Sequence, residues 1–170
     1  MALNDVTKKA LRVALASNSA ADELITDLEV LDATTASAAE LNYRNDAQPA
    51  YASFSPAAGS SNVCEVTITI KDGNGTAVAK PTIFHLMLSD AATGAGLTGT
   101  TASGTVAAKA SSGTDLSTLV SKKALLCQTK ADGTYILSIT DTAKTGFYVV
   151  AQVPGQLPSV SSALVTGNYG

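Results

Sequence analysis

The sequence predicts a mainly β protein, an antiparallel β-sandwich over residues 62–170 preceded by a segment of short helices over residues 1–46. Three observations carry this. Cys64, Val66, Ile68 and Ile70 alternate with Glu65, Thr67, Thr69 and Lys71, the period of two that marks a half-buried strand. Two turns, Lys71-Asp72-Gly73-Asn74-Gly75 and Lys130-Ala131-Asp132-Gly133-Thr134, follow β-rich runs and tolerate the positive φ values of tight hairpins. About seven short β-rich runs, spaced by turn residues, fill the rest, as in a sandwich.

The bulk composition limits what such a domain can hold. Hydrophobic residues make up 45% of the chain, but many are Ala, Trp is absent and aromatics reach only 5%. The core must come from Val, Ile, Leu and a few rings, enough for one small sandwich and too little for a large enzyme cavity. With a formal net charge of -3 there is no basic excess, so neither nucleic acid nor an anionic membrane is an expected partner. No apolar run approaches the roughly 20 residues of a membrane-spanning helix. The first five residues lack a basic start followed by an apolar run, so no signal peptide is expected and synthesis belongs to the cytoplasm.

Taken in order, Asn4 or Asp5 caps a first helix running to about Ala16. Ser17-Asn18-Ser19 breaks it, and Ser19 with Asp22 resembles a capping box for a second helix. That helix carries Leu24, Leu28 and Leu31 on one stripe. Ser37-Ala38-Ala39-Glu40 caps a third, leading into Leu41 and Tyr43. Helices this short are marginal alone and must pack on something: the β-domain, each other or further copies. Residues 47–61 read as a linker, because Pro49 and Pro56 exclude regular helix and Gly59-Ser60-Ser61 is flexible.

Within the β-domain, residues 64–71 form the first strand and 82–88 a second, more fully buried one. Residues 90–115, rich in Gly, Ala, Thr and Ser, are long for a loop and read as an edge hairpin or a mobile surface feature, with a short strand near 100–106. Asp115 to Leu119 suggests one helical turn. Strands then fall near 124–130, 134–140, 147–153 and 160–166.

Chemistry is sparse. His85, the one histidine, lies mid-strand without a neighbouring partner, which suits a core or sheet-face position. One His and two separated Cys lack the spacing of a zinc site, so no metal and no cofactor is expected. Cys64 and Cys127 either pair across the sandwich or are two buried small hydrophobes, and the second reading is favoured. The Asp72 turn has a faint likeness to a calcium loop but lacks the later acids. Gly94-Ala95-Gly96-Leu97-Thr98-Gly99 matches a dinucleotide fingerprint only in its glycines, and no amphipathic helix follows. A nucleophile would need a base, and only His85 offers one. No catalytic residue is expected, and the chain does not read as an enzyme.

Two resemblances rest on residues already quoted. Thr69 to Val78, Thr129 to Tyr135, and Lys144-Thr145-Gly146-Phe147-Tyr148-Val149-Val150-Ala151 together resemble the Ig-like repeats of bacterial invasins and phage virion proteins. In those repeats the first Asp turn follows strand A, and here Phe147-Tyr148 shifts the last aromatic by one position or replaces it. Thr35-Ala36-Ser37-Ala38-Ala39-Glu40-Leu41-Asn42 is similar to segments recurring in tailed-phage capsid fibre and decoration proteins. The resemblance implies an Ig-like sandwich on a virion protein that decorates the capsid exterior as a cement or head-fibre protein. Its partner would be the major capsid protein and its state a homotrimer. Leu24, Leu28, Leu31, Leu41 and Tyr43 are the expected oligomer or capsid contacts. The alternative is a tail-associated or surface adhesion module that binds carbohydrate or a host protein.

Overall fold

The computed structural model describes residues 48–170, which fall within a compact unit spanning Asn45–Gly170, distinct from Met1–Arg44. The expected helices, and with them Leu24, Leu28, Leu31, Leu41 and Tyr43, lie outside the described residues.

Nine strands form the unit: β1 (Tyr51–Ala58), β2 (Val63–Lys71), β3 (Ile83–Ser89), β4 (Val106–Ala108), β5 (Thr114–Val120), β6 (Ala124–Gln128), β7 (Thr134–Thr140), β8 (Tyr148–Gln152) and β9 (Ser159–Val160). They make two antiparallel sheets, ordered β1-β2-β7-β4 and β5-β6-β3-β8-β9. This is the expected sandwich, with an Ig-like layout. β1, β2, β7 and β4 occupy the places of A, B, E and D, and β3, β8 and β9 those of C, F and G. β6 and β5 extend the second sheet beyond β3, but they follow β4 in the chain, whereas the extra strands of a variable-type domain come between C and D.

The core follows from alternation. Cys64, Val66, Ile68 and Ile70 on β2 face Phe84, Leu86 and Leu88 on β3, with Tyr135, Leu137 and Ile139 on β7 beside them, all buried. Phe84 and Tyr135 meet edge to face across the two layers, ring centroids 5.4 Å apart. Such a pair adds about 0.5–1.5 kcal/mol beyond the area it buries.

Six expectations need correction. The short strand expected near 100–106 is β4, at Val106–Ala108. Residues 82–88, expected to be more fully buried than the first strand, instead alternate along β3, with Ile83 and His85 exposed. The segment read as a linker supplies β1, paired in full register from Tyr51↔Lys71 to Ala58↔Cys64. Pro56 is compatible because β1 is an edge strand, where a missing N–H costs no ladder bond. The segment read as a helical turn at Asp115–Leu119 is β5, whose two register shifts break the period of two. The last strand covers only Ser159–Val160, followed by a short 3-10 turn at Thr166–Asn168. Finally, neither Asp-Gly turn closes a hairpin between neighbouring strands. The first follows β2, in the B position rather than A, reverses for one bridge at Lys71↔Ala77, and then crosses to the other sheet. The second links β6 in one sheet to β7 in the other.

Both turns lie at the same end of the sandwich and lock together. Ile70 N–H donates to the Gly133 carbonyl at 3.0 Å, and Val78 N–H donates to the Ile70 carbonyl at 2.9 Å. The long 90–105 segment is pinned as well. Lys123 Nζ donates to the carbonyls of Thr98 and Gly99, and Lys122 Nζ to those of Ala102 and Ser103. Asp90 accepts from Thr98 Oγ1 and Gly99 N–H, which hold its carboxyl below the usual range.

Candidate functional site

The outward faces of the two sheets differ in chemistry. On the four-stranded sheet, β2 presents Glu65, Thr67, Thr69 and Lys71, β7 presents Ile136, Ser138 and Thr140 among others, and Lys109 pairs with Glu65 at 2.7 Å. This is a solvated face.

The five-stranded sheet is the reverse. Because Phe84, Leu86 and Leu88 point inward, the pleat turns Ile83, His85 and Met87 outward. Register sets His85 between Leu126 on β6 and Gln152 on β8, and Met87 between Ala124 and Val150. Outward positions on β3, β6 and β8 therefore hold Ile83, His85, Met87, Ala124, Leu126, Gln128, Tyr148, Val150 and Gln152, without an acid or a Lys or Arg. β5 adds Leu119 at one side. Its only charged residue, Asp115, turns inward to accept from Tyr135.

Part of this face is roofed. Val150 is outward in register yet buried, because Gly94 lies over it; a Cβ on Gly94 would come within 2.8 Å of Val160 and 3.1 Å of Val150. The remainder, which no other described residue roofs, holds a shallow hollow of about 110 Å³ lined by His85, Met87, Leu119, Ala124 and Gln152 among others. An adjoining hollow shares His85 and Gln152 and adds Pro154. Ile83 is 44% exposed and Leu119 52%, which is high for aliphatic side chains standing on a sheet. The arrangement offers an apolar floor with one imidazole and one amide able to orient a contact.

The polar groups beneath the surface have structural work. Asp115 accepts from Tyr135 Oη–H and, more weakly, from Cys127 Sγ at 3.8 Å, while its other oxygen takes Ala108 N–H at 2.9 Å. This carboxylate stitches β5 to β7 in the opposite sheet and to β4 at the sandwich edge. Burial pushes the Tyr135 phenol well above its usual range, and the Cys127 thiol up to about 12. Asp141 is buried, which alone would raise its carboxyl. Hydrogen bonds from Thr145, Ser103 and Ala143 win and hold it down at about 2. Asp72, buried too, accepts Asn74 and Thr76 amides on one oxygen, which makes it a turn cap. The likeness to a calcium loop ends there, for no cluster of three potential ligands occurs among the described residues.

Cys64 and Cys127 are both buried and both free, so the small-hydrophobe reading holds. Cys64 pairs with Ile139 near one end of β7, whereas Cys127 lies beside the network at Tyr135, four residues away along the strand. That offset is about 13 Å, far beyond disulfide reach. Burial, then Glu65, lifts the Cys64 thiol to about 11.

No family model and no curated protein matches this chain. Among solved structures, the crystal structure of a beta-glycosidase from Bacteroides vulgatus is similar at 15% identity and a TM-score of 0.42. The likeness covers 69% of this chain and 14% of that protein, and is too slight to speak to fold or activity.

The site residues expected from sequence lie outside the described residues, so the structure neither gathers nor separates them. Sequence reasoning left His85 either in the core or on a sheet face, and in the structure it stands on the exposed face. That reasoning missed the company His85 keeps, since Leu119 reaches that face only through the irregular register of β5.

Proposed function

We propose that this chain is a non-enzymatic structural virion protein that binds the exterior of a phage capsid as a cement or head-fibre protein. Residues 1–46 grip lattice sites, as a homotrimer or directly on the major capsid protein, and the Ig-like sandwich is displayed. The observation that carries this reading is the uncharged aliphatic face of the five-stranded sheet, a surface made for contact. The Leu24, Leu28 and Leu31 stripe supports it from the sequence side. Many copies on a lattice let weak single contacts sum to stable occupancy.

Cryo-electron microscopy of purified particles tests the proposal. Density for the sandwich at repeated positions over the whole head is expected, and Leu28→Asp should lower its occupancy. Unchanged occupancy in that variant would remove the leucine stripe from the contact. The hollow beside His85 and Gln152 favours one second reading, an adhesion module for a glycan or host protein. Density confined to the tail would decide for it.

A further inference from the structure

We propose that Asn74 is a site of spontaneous deamidation through a cyclic imide with Gly75, and that the Asp72 turn governs how fast it occurs. Asn74 is the one asparagine of the chain followed by glycine. Without a side chain, glycine leaves its nitrogen open to approach the asparagine amide carbon, which a larger successor obstructs. Asn74 is also exposed, so water reaches its amide. In the first step Gly75 N bonds to Asn74 Cγ and the Cγ–Nδ2 bond breaks. The Gly75 proton passes through water to the departing nitrogen, which leaves as ammonia. A water molecule then opens the imide at either carbonyl, giving aspartate or isoaspartate, and nothing is oxidised or reduced.

The fold sets a restraint on this step. Gly75 N–H donates to the Asp72 carbonyl at 3.1 Å, the closing bond of a four-residue turn with Asp first and Gly last. Asp72 Oδ1 accepts the Asn74 and Thr76 amides at 2.9 Å each, and Asp72 N–H donates to the Thr76 carbonyl. The attacking nitrogen is thus held by another oxygen, and the backbone that must rotate around Asn74 and Gly75 is clamped on both sides. Attack waits for the turn to open, so its rate follows the population of the open turn. The product acts on the same clamp. Isoaspartate adds one carbon to the main chain inside the turn, and either product places a new carboxylate two residues from the buried Asp72. The strand return after this turn sets Val78 against Ile70 and Gly133, so deamidation loosens the lock between the two Asp-Gly turns.

Mass spectrometry of the full-length protein, held near pH 8 with and without denaturing urea, follows the amide-to-acid mass gain at each asparagine. In the unfolded chain Asn74 should be modified before any other asparagine, and in the native protein its rate should be lower by more than about tenfold. Asp72→Ala, which removes both side-chain bonds, should raise the native rate by about tenfold, with its urea transition showing that it is folded. A second measurement needs no variant: in wild type under urea below the transition, hydrogen exchange at Gly75 and deamidation at Asn74 should rise by the same factor. The deamidated fraction should also exchange its Ile70 and Val78 amides faster than the unmodified one. An Asn74 that stays intact in the unfolded chain overturns the site. Equal native and unfolded rates, or deamidation that stays constant while Gly75 exchange rises, overturn the restraint. Unchanged exchange at Ile70 and Val78 overturns the loosening.

Discussion

At Gly133 the backbone adopts φ +78°, and the Val78 carbonyl oxygen lies 2.4 Å from where a Cβ would stand. The left-handed conformation alone would disfavour any other residue, but here the opposing atom is backbone and cannot swing away. Gly133→Ala should therefore cost about 2–4 kcal/mol, read from urea unfolding. Gly155, at φ +79° with open space around it, is the control, and its Ala variant should lose only about 1 kcal/mol. Equal losses would mean that the Val78 contact is not confining. The sequence marked Gly133 as a turn glycine, yet nothing local announces that a return segment 55 positions earlier packs against it. The cysteines follow similar logic. With both thiols buried and raised, neither should react with a thiol reagent at pH 8 in the native protein, and both should react in denaturant. Labelling of either in the native state would contradict that burial.

Among the elements, β1 and β5 are the two that sequence reasoning missed, for different physical reasons. β1 contains Pro56, which reads as a strand breaker unless its edge position is known. Its turn into β2 places Ser61 and Asn62 at positive φ, where a Gly would have signalled a hairpin. In β5, Leu116 and Leu119 stand three apart, a helical spacing that two bulges produce within a strand. By contrast, β2 and β7 obey strict alternation and were legible throughout. What holds β5 in place is Asp115, so its loss should be felt at the element scale. Asp115→Ala leaves the Tyr135 hydroxyl buried without its acceptor and frees Ala108 N–H, a cost of about 2–4 kcal/mol. Asp115→Asn retains an acceptor and should lose roughly half as much. Hydrogen exchange at Ala108 distinguishes local from global loss. It should quicken in Asp115→Ala well beyond the change at Val66 in the buried centre, and uniform quickening would count against a local stitch.

For the whole molecule, the titrating groups define a pH window of stability. Asp132 and Asp141 have folded-state carboxyls lowered to about 2, Asp132 through bonds from Thr134 and Lys130, and Asp141 through the loop amides that overcome its burial. A lowered carboxyl contributes stability that is present above its unfolded value near 4 and is lost as pH falls toward 2. Asp132 is exposed and screened by solvent, so Asp141 should dominate this acid limb. At the other end, the raised Cys64 and Cys127 thiols bind protons more tightly in the folded state. The unfolded chain releases those protons first above pH ~9, so stability declines from there until the folded values near 11 and 12 are passed. The buried Tyr135 phenol, raised further, extends the same slope. The urea midpoint should accordingly stay nearly flat from about pH 5 to 8.5, then fall on both sides. Asp141→Asn should lower the plateau and flatten the acid limb while sparing the alkaline one. Cys127→Ala should do the converse. A midpoint that falls steadily across neutral pH, or an Asp141→Asn curve parallel to the wild type below pH 4, would mean that some other group governs the window.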